Sequence, residues 1–213
     1  MDWLTSAVIA TLLGSLILTF TYKFLFAQEK QRFLLIWNIS WLINSFHFLF
    51  VLSSFRIGDQ AWLTIGNHTS SLESGVFLLW GAYEFSDRRY PKWWWGGAAA
   101  GCTWISLAVL NQASVLITTL PSFTFLAGVY IWTGKTITNT SHSEGQSKYL
   151  TGRALFFWGI HKADFSFVRT VAWIAPWGYI LGGVFEFVVA IGMKNWSSVS
   201  MNGPRIWPRP IRN

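Results

Sequence analysis

Polar and ionisable side chains occur inside some of the most apolar stretches of this sequence, where each one needs a chemical or structural reason. Asn44 and His47 are three residues apart in one such stretch, a spacing that places them on one helix face. His161, Lys162 and Asp164 cluster near the end of another. An imidazole, an ammonium and a carboxylate in an apolar setting can bind a polar ligand or exchange protons.

We therefore expect a polar pocket that opens at one end of a helix bundle and binds a small polar or anionic ligand. Lys162 would supply the positive charge and His161 a proton-sensitive donor. Trp177 follows Pro176 at a predicted membrane boundary, where it belongs either to an aromatic belt or to a stacking surface for a flat ligand. The predicted ligand-binding residues are His47, His68, Glu73, His161, Lys162, Asp164 and Trp177.

Other interpretations of the same residues stay open. These groups can simply hold the helices together by interhelical hydrogen bonds. Three histidines and a carboxylate also suit zinc or copper, and a histidine suits haem or a pigment, but no HxxxH or HxH pair occurs. Glu73 and Glu186 are candidates for a proton relay. We predict no metal site, and the sequence identifies no cofactor.

The composition excludes most soluble classes. Of the 213 residues, 52% are hydrophobic and only 12% are charged, whereas a soluble domain carries about 25% charged residues. The single cysteine, Cys102, excludes an internal disulfide framework. We predict that the chain is not an enzyme, because GxSxG, HExxH and phosphate-binding glycine motifs are absent. The sequence also argues against a rhodopsin, since retinal chemistry needs a lysine in the last span and none lies between Val171 and Met193.

Seven apolar stretches are close to the roughly 20 residues that a membrane-spanning helix needs. They run over Trp3–Phe26, Phe33–Phe55, Gln60–Phe85, Lys92–Leu110, Ala113–Thr133, Lys148–Asp164 and Val171–Met193. The sequence thus predicts an all-α, polytopic membrane protein with a bundle of seven transmembrane helices. Residues 1–194 form this transmembrane domain, and residues 195–213 form a basic cytoplasmic tail that contains proline and arginine.

The positions of lysine and arginine predict the orientation. With the N-terminus outside, 13 of the 16 basic residues fall on the inner side and 3 on the outer side. The positive-inside rule then favours N-out and C-in, in the inner (cytoplasmic) membrane of a cell. The net charge of +7 is explained by this placement between apolar segments, so we predict contact with the lipid bilayer and no nucleic-acid partner.

Two sequence runs near the end of the chain can be compared with a known family. They are WGIHKAD at 158–164 and VAWIAPWG at 171–178. Together they resemble the seven-helix N-terminal sensor module of bacterial membrane-bound histidine kinases and diguanylate cyclases. In that family a His-Lys-x-Asp stretch closes the sixth span and an Ala-Pro-Trp-Gly stretch opens the seventh. The resemblance implies a signal-transducing sensor that binds a ligand near His161, Lys162 and Asp164.

The chain departs from this family in two respects. Phe165-Ser166 stands where the family has Tyr-Pro, and we expect no catalytic or signalling domain after Met193, since only residues 194–213 follow it in the sequence. We therefore expect the sensor to pass its signal to a separate cytoplasmic partner. The alternative is an accessory transmembrane subunit of a larger membrane complex, with structural contacts to lipid or pigment.

Overall fold

The computed structural model describes residues 2–58, 60–140 and 146–202, and side chains up to residue 192. Almost all of the described residues are α-helical, which confirms the all-helical prediction. The seven helices are α1 (Trp3–Glu29), α2 (Arg32–Ile57), α3 (Ala61–Phe85), α4 (Trp93–Leu110), α5 (Val115–Thr138), α6 (Gln146–Val168) and α7 (Ala175–Asn202).

Local sequence signals explain where several helices begin and end. Asp2 caps α1 by accepting a hydrogen bond from the backbone N–H of Thr5 at 2.7 Å. Hydrogen bonds from Thr5 lower the pKa of Asp2, which keeps this exposed cap ionised. Gly58 ends α2 with a φ of 91°, a conformation that L side chains rarely adopt. Pro176 lies in the first turn of α7, where the proline nitrogen would lack a partner in any case.

Five helices extend beyond their predicted C-terminal ends, α5 and α7 by the most. α5 reaches Thr138; along this last part Gly134 packs closely on α6, and the Thr133 and Thr138 hydroxyls donate hydrogen bonds to the carbonyls four residues back. α7 runs to Asn202 and so includes the first residues predicted as a tail. The rest of that predicted tail, 203–213, lies outside the described residues.

Six of the helices close into a ring in the order α1, α2, α3, α5, α6, α7, with α7 packed back against α1. α4 lies outside the ring and packs on α3 and α5. We call the end of the bundle where α1 and α7 begin the N-terminal face. The other end is the opposite face. α2 and α6 end at the N-terminal face, since short connections make successive helices antiparallel.

Four helices are long and apolar enough to cross a membrane, namely α1, α2, α5 and α7 as far as Gly192. Large apolar side chains such as Phe20, Leu110 and Ile191 are exposed on the outside of the bundle. The inside carries many small and polar residues. Such an arrangement suits a lipid environment, where close packing and interhelical hydrogen bonds hold helices together.

The predicted polar face of α2 does point inward, because Ser40, Asn44 and His47 are all buried. Ser40 donates a hydrogen bond to the Ser74 carbonyl on α3 at 2.8 Å. On the same interface the indole N–H of Trp37 donates to the Leu78 carbonyl at 3.2 Å. Hydrogen bonds between helices thus account for part of the buried polar residues.

Gly134 on α5 is expected to tolerate no larger side chain. A Cβ there would lie 2.6 Å from the Gly152 carbonyl oxygen on α6, so the backbone would have to move. We expect Gly134→Ala to lower the free energy of unfolding by about 1–3 kcal/mol. Gly128→Ala on the same helix is the control, because its Cβ would meet nothing within 4 Å. Thermal unfolding in detergent, followed by circular dichroism, measures both, and equal effects would contradict this close packing.

Candidate functional site

A polar cavity lies among α1, α2, α5, α6 and α7, in the half of the bundle nearer the N-terminal face. Its volume is about 20 Å³, taken as the space open to the centre of a water molecule, and one water needs about 10–15 Å³. We call it the α6–α7 cavity. Its polar wall comprises Thr11, His47, His161, Lys162, Tyr179 and Glu186. Its apolar wall includes Phe48, Phe123, Trp158 and Phe165.

Glu186 on α7 forms the deepest ionisable part of the cavity wall. It is 2% exposed and lies 11 residues after the start of α7, about 16 Å along the helix axis. Its Oε1 accepts a hydrogen bond from Asn44 Nδ2 at 2.9 Å, and the same amide donates to Ser15 Oγ at 3.1 Å. Its Oε2 has no hydrogen-bond partner among the described residues. A buried carboxyl oxygen without a partner is costly, so a guest that can bond to it is favoured.

Lys162 on α6 brings a positive charge to the same cavity. Its ammonium lies 5.7 Å from the centre of the Trp158 ring and 5.9 Å from that of Tyr130. These distances are typical of cation–π contacts, which stabilise a charge away from bulk water. The cavity therefore combines one ammonium and one carboxyl group, whose charges compensate each other.

His161 connects α6 to α7 at the mouth of the cavity. Its Nε2 lies 2.9 Å from the Gly178 carbonyl oxygen on α7, and its Nδ1 lies 3.2 Å from Asp164 Oδ1. A carbonyl and a carboxylate are both acceptors, so both ring nitrogens must carry a proton for both contacts to be hydrogen bonds. The Asp164 side chain is 54% exposed, which links the buried imidazole to the surface.

His47 on α2 reaches the cavity from the other side. Its Nδ1 lies 3.0 Å from the Asn67 carbonyl oxygen on α3, and this acceptor assigns a proton to Nδ1. In the neutral ring Nε2 then carries a lone pair. His47 thus adds a hydrogen-bond acceptor to the cavity wall whenever it is uncharged.

His68 is buried but lies beside the cavity rather than in its wall. Its Nε2 lies 3.2 Å from the guanidinium of Arg169, in the connection between α6 and α7. A guanidinium can only donate, so Nε2 must be the acceptor and the ring neutral. The contact ties this connection to α3. Arg169 was not predicted as a site residue, because nothing in the sequence indicates that it folds back onto α3.

Glu73 and Trp177, like His68, do not line the α6–α7 cavity. Glu73 is exposed, because the faces of α3 on either side of it are buried in the bundle. It is not a relay partner for the buried Glu186. Trp177 is 58% exposed and contacts Trp3 edge-to-face at 5.8 Å between ring centres. That pair fits an aromatic belt at the N-terminal face.

The sequence indicated Asn44 as part of a polar helix face and Glu186 as a candidate for a proton relay, but it did not predict that the two side chains are in contact. They are 142 residues apart, and only the packing of α7 into the ring brings them together. In the part of the chain that the structure describes, no group of three His, Cys, Asp or Glu residues is arranged to hold a metal ion.

Comparison with known proteins does not indicate a family or a function for this chain. No protein family matches the sequence, and no curated protein or solved structure is significantly similar to it. The resemblance to bacterial sensor modules therefore stays a prediction from the WGIHKAD and VAWIAPWG runs.

Proposed function

We propose that this chain is a sensor module of the inner (cytoplasmic) membrane in which all seven helices cross the bilayer, N-out and C-in. A small ligand that enters from the outer side would occupy the α6–α7 cavity. The signal would reach a cytoplasmic partner through the ends of α6 and α7. The distribution of lysine and arginine supports this orientation, since it places the N-terminal face outside.

One observation carries the proposal. Ionisable side chains from α2, α6 and α7 line one cavity, and the deepest of them, Glu186, has an oxygen with no partner among the described residues. A guest in this cavity contacts both α6 and α7. These helices are joined beside it by the His161–Gly178 hydrogen bond. A ligand that binds two arrangements of the pair unequally shifts the balance between them, which is what a sensor requires.

A covalent surrogate for the ligand provides the test. Gly182 lines the cavity, and a Cβ there would meet no atom within 4 Å. It also lies four residues before Glu186 and hence on the same helix face. We expect Gly182→Cys, in a Cys102→Ala background, to react with 2-aminoethyl methanethiosulfonate in lipid nanodiscs. The attached ammonium would then reach the Glu186 carboxyl group.

The readout is hydrogen–deuterium exchange at the start of α6, at the opposite face. We expect modification at residue 182 to change exchange there by about twofold or more, through a shift in local opening. Gly96→Cys in the same background is the matched control, since its position is exposed and free of contacts. It should be modified without any effect on α6. A cysteine at 182 that is modified without effect would contradict the sensor and favour the accessory subunit. A cysteine that does not react would contradict an open pocket.

A further inference from the structure

Glu186 is the only carboxylate among the buried residues that the structure describes. Asn44 satisfies one of its oxygens and leaves Oε2 without a partner in the described part of the chain. An amide donor on one oxygen and an open second oxygen suit a group that can carry a proton on Oε2. The Asn44 hydrogen bond is compatible with both the ionised and the protonated form.

The α6–α7 cavity links this oxygen to the N-terminal face. Its volume of about 20 Å³ accommodates one water. The residues that line the cavity include four whose polar side chains can bond to such a water, namely Glu186, Lys162, Thr11 and His47. A buried water typically makes about three hydrogen bonds, so the wall is polar enough to hold one.

His161 and Asp164 connect the cavity to solution. His161 lines the cavity, and its Nδ1 contacts the exposed Asp164 carboxylate at 3.2 Å. A neutral ring that carries its proton on Nε2 can accept a proton from Asp164 on Nδ1 and release the Nε2 proton towards the cavity. The reverse transfer restores the ring when the proton leaves.

The path does not continue to the opposite face. Beyond Glu186 the bundle is filled by a layer of buried aromatic side chains, Tyr22, Trp37 and Trp41, and Tyr22 and Trp41 lie with their rings nearly parallel at 6.4 Å. The Tyr22 phenol is the one ionisable group among these three side chains. A proton that reaches Glu186 therefore binds there and leaves by the route through which it came.

We propose that Glu186 is a proton-binding site that exchanges protons with the N-terminal face through the cavity water, His161 and Asp164. This inference rests on the proposed function and names the proton as the stimulus. One proton moves from solution to Asp164, on to the His161 ring, through the water and onto Oε2 of Glu186. The titratable groups around Glu186 are His47 on α2, Tyr130 on α5, His161 and Lys162 on α6, and Tyr179 on α7 itself. α1 contributes the hydroxyls of Thr11 and Ser15 and, in the aromatic layer beyond Glu186, the Tyr22 phenol.

Infrared spectroscopy after a pH jump tests the site. In nanodiscs containing the full chain, acidification from about pH 9 to about pH 5 should produce the C=O band of a protonated carboxyl group shielded from water. We expect Glu186→Gln to abolish this band. Glu73→Gln is the matched control, because Glu73 is exposed and off the path, and it should leave the band intact. A band that survives in Glu186→Gln, or no such band in the unmodified protein, overturns the proposal.

The rate at which the band appears tests the path. Asp164 is exposed, so Asp164→Asn should fold normally. We expect this variant to lower the rate at which the band appears by about tenfold or more, since it removes a proton donor. The final amplitude of the band should stay the same. An unchanged rate would overturn the role of Asp164 and His161. The outcome is separable from that of the proposed function. If modification at residue 182 changes exchange in α6 but Glu186 does not titrate, the sensor stands and the proton is not its stimulus.

Discussion

Replacing Trp158 with alanine is expected to destabilise the helix bundle strongly. Trp158 is 1% exposed, lies nearly parallel to Trp41 with ring centres 6.3 Å apart, and packs edge-to-face on Tyr130 at 4.5 Å. The change removes these contacts and opens a void beside the α6–α7 cavity. We expect Trp158→Ala to lower the free energy of unfolding by about 3–5 kcal/mol.

The measurement is denaturant unfolding in mixed micelles, followed by circular dichroism. Trp173→Ala is the matched control, because Trp173 is 74% exposed in the connection before α7. It should change the free energy of unfolding by less than about 0.5 kcal/mol. Similar losses in both variants would mean that the contacts of Trp158 with Trp41 and Tyr130 do not stabilise the bundle.

Replacing Asn44 with leucine is expected to lower the free energy of unfolding by about 1–3 kcal/mol, the cost of leaving a buried polar group without its partner. The amide donates to both Glu186 Oε1 and Ser15 Oγ, so it joins α2 to α7 and α1. Without it, both oxygens of a buried carboxyl group lack a partner among the described residues. Hydrogen bonds to charged groups contribute about 1.5–3 kcal/mol each in soluble proteins, and interhelical bonds in membranes average about 0.6 kcal/mol.

A double variant separates two effects: the loss of the Asn44–Glu186 hydrogen bond, and the cost of leaving the buried Glu186 carboxyl group without a partner. Asn44→Leu combined with Glu186→Leu removes both partners, and replacing a buried polar pair by apolar side chains is often neutral. We therefore expect the double variant to unfold at a higher denaturant concentration than Asn44→Leu alone. Additive losses in the two single variants and the double variant would show that the two side chains do not interact.

The two halves of the bundle have different chemistry, which bears on the proposed function. The half near the N-terminal face holds His47, His161 and Lys162 around the cavity, and Glu186 at its base. The interior of the other half contains large aromatic side chains, and no carboxylate, lysine or arginine side chain is buried there among the described residues. A polar cavity closed on one side by a packed aromatic layer suits binding rather than transport. This division is why we propose a sensor in preference to a conducting protein.

Helix periodicity and residue type were enough to predict part of the site. Asn44 and His47 recur on the helical period, and both point into the bundle as expected. His161 and Asp164 do interact at the i, i+3 spacing. Glu73 shows the limit of this reasoning, because periodicity defines which residues share a face but does not say which face is buried. α3 buries its serine and glycine faces against neighbouring helices and leaves Glu73 outside.

The sequence by itself determined that this chain forms long apolar helices joined by short connections, because helix formation and exclusion from water depend on local composition. Only the tertiary structure decided which helices are neighbours. α7 closes the ring against α1 and α6, which brings Glu186 to Asn44, and the connection after α6 brings Arg169 to His68. Such contacts join residues more than a hundred positions apart, and they depend on how side chains of seven helices fit together rather than on any local pattern.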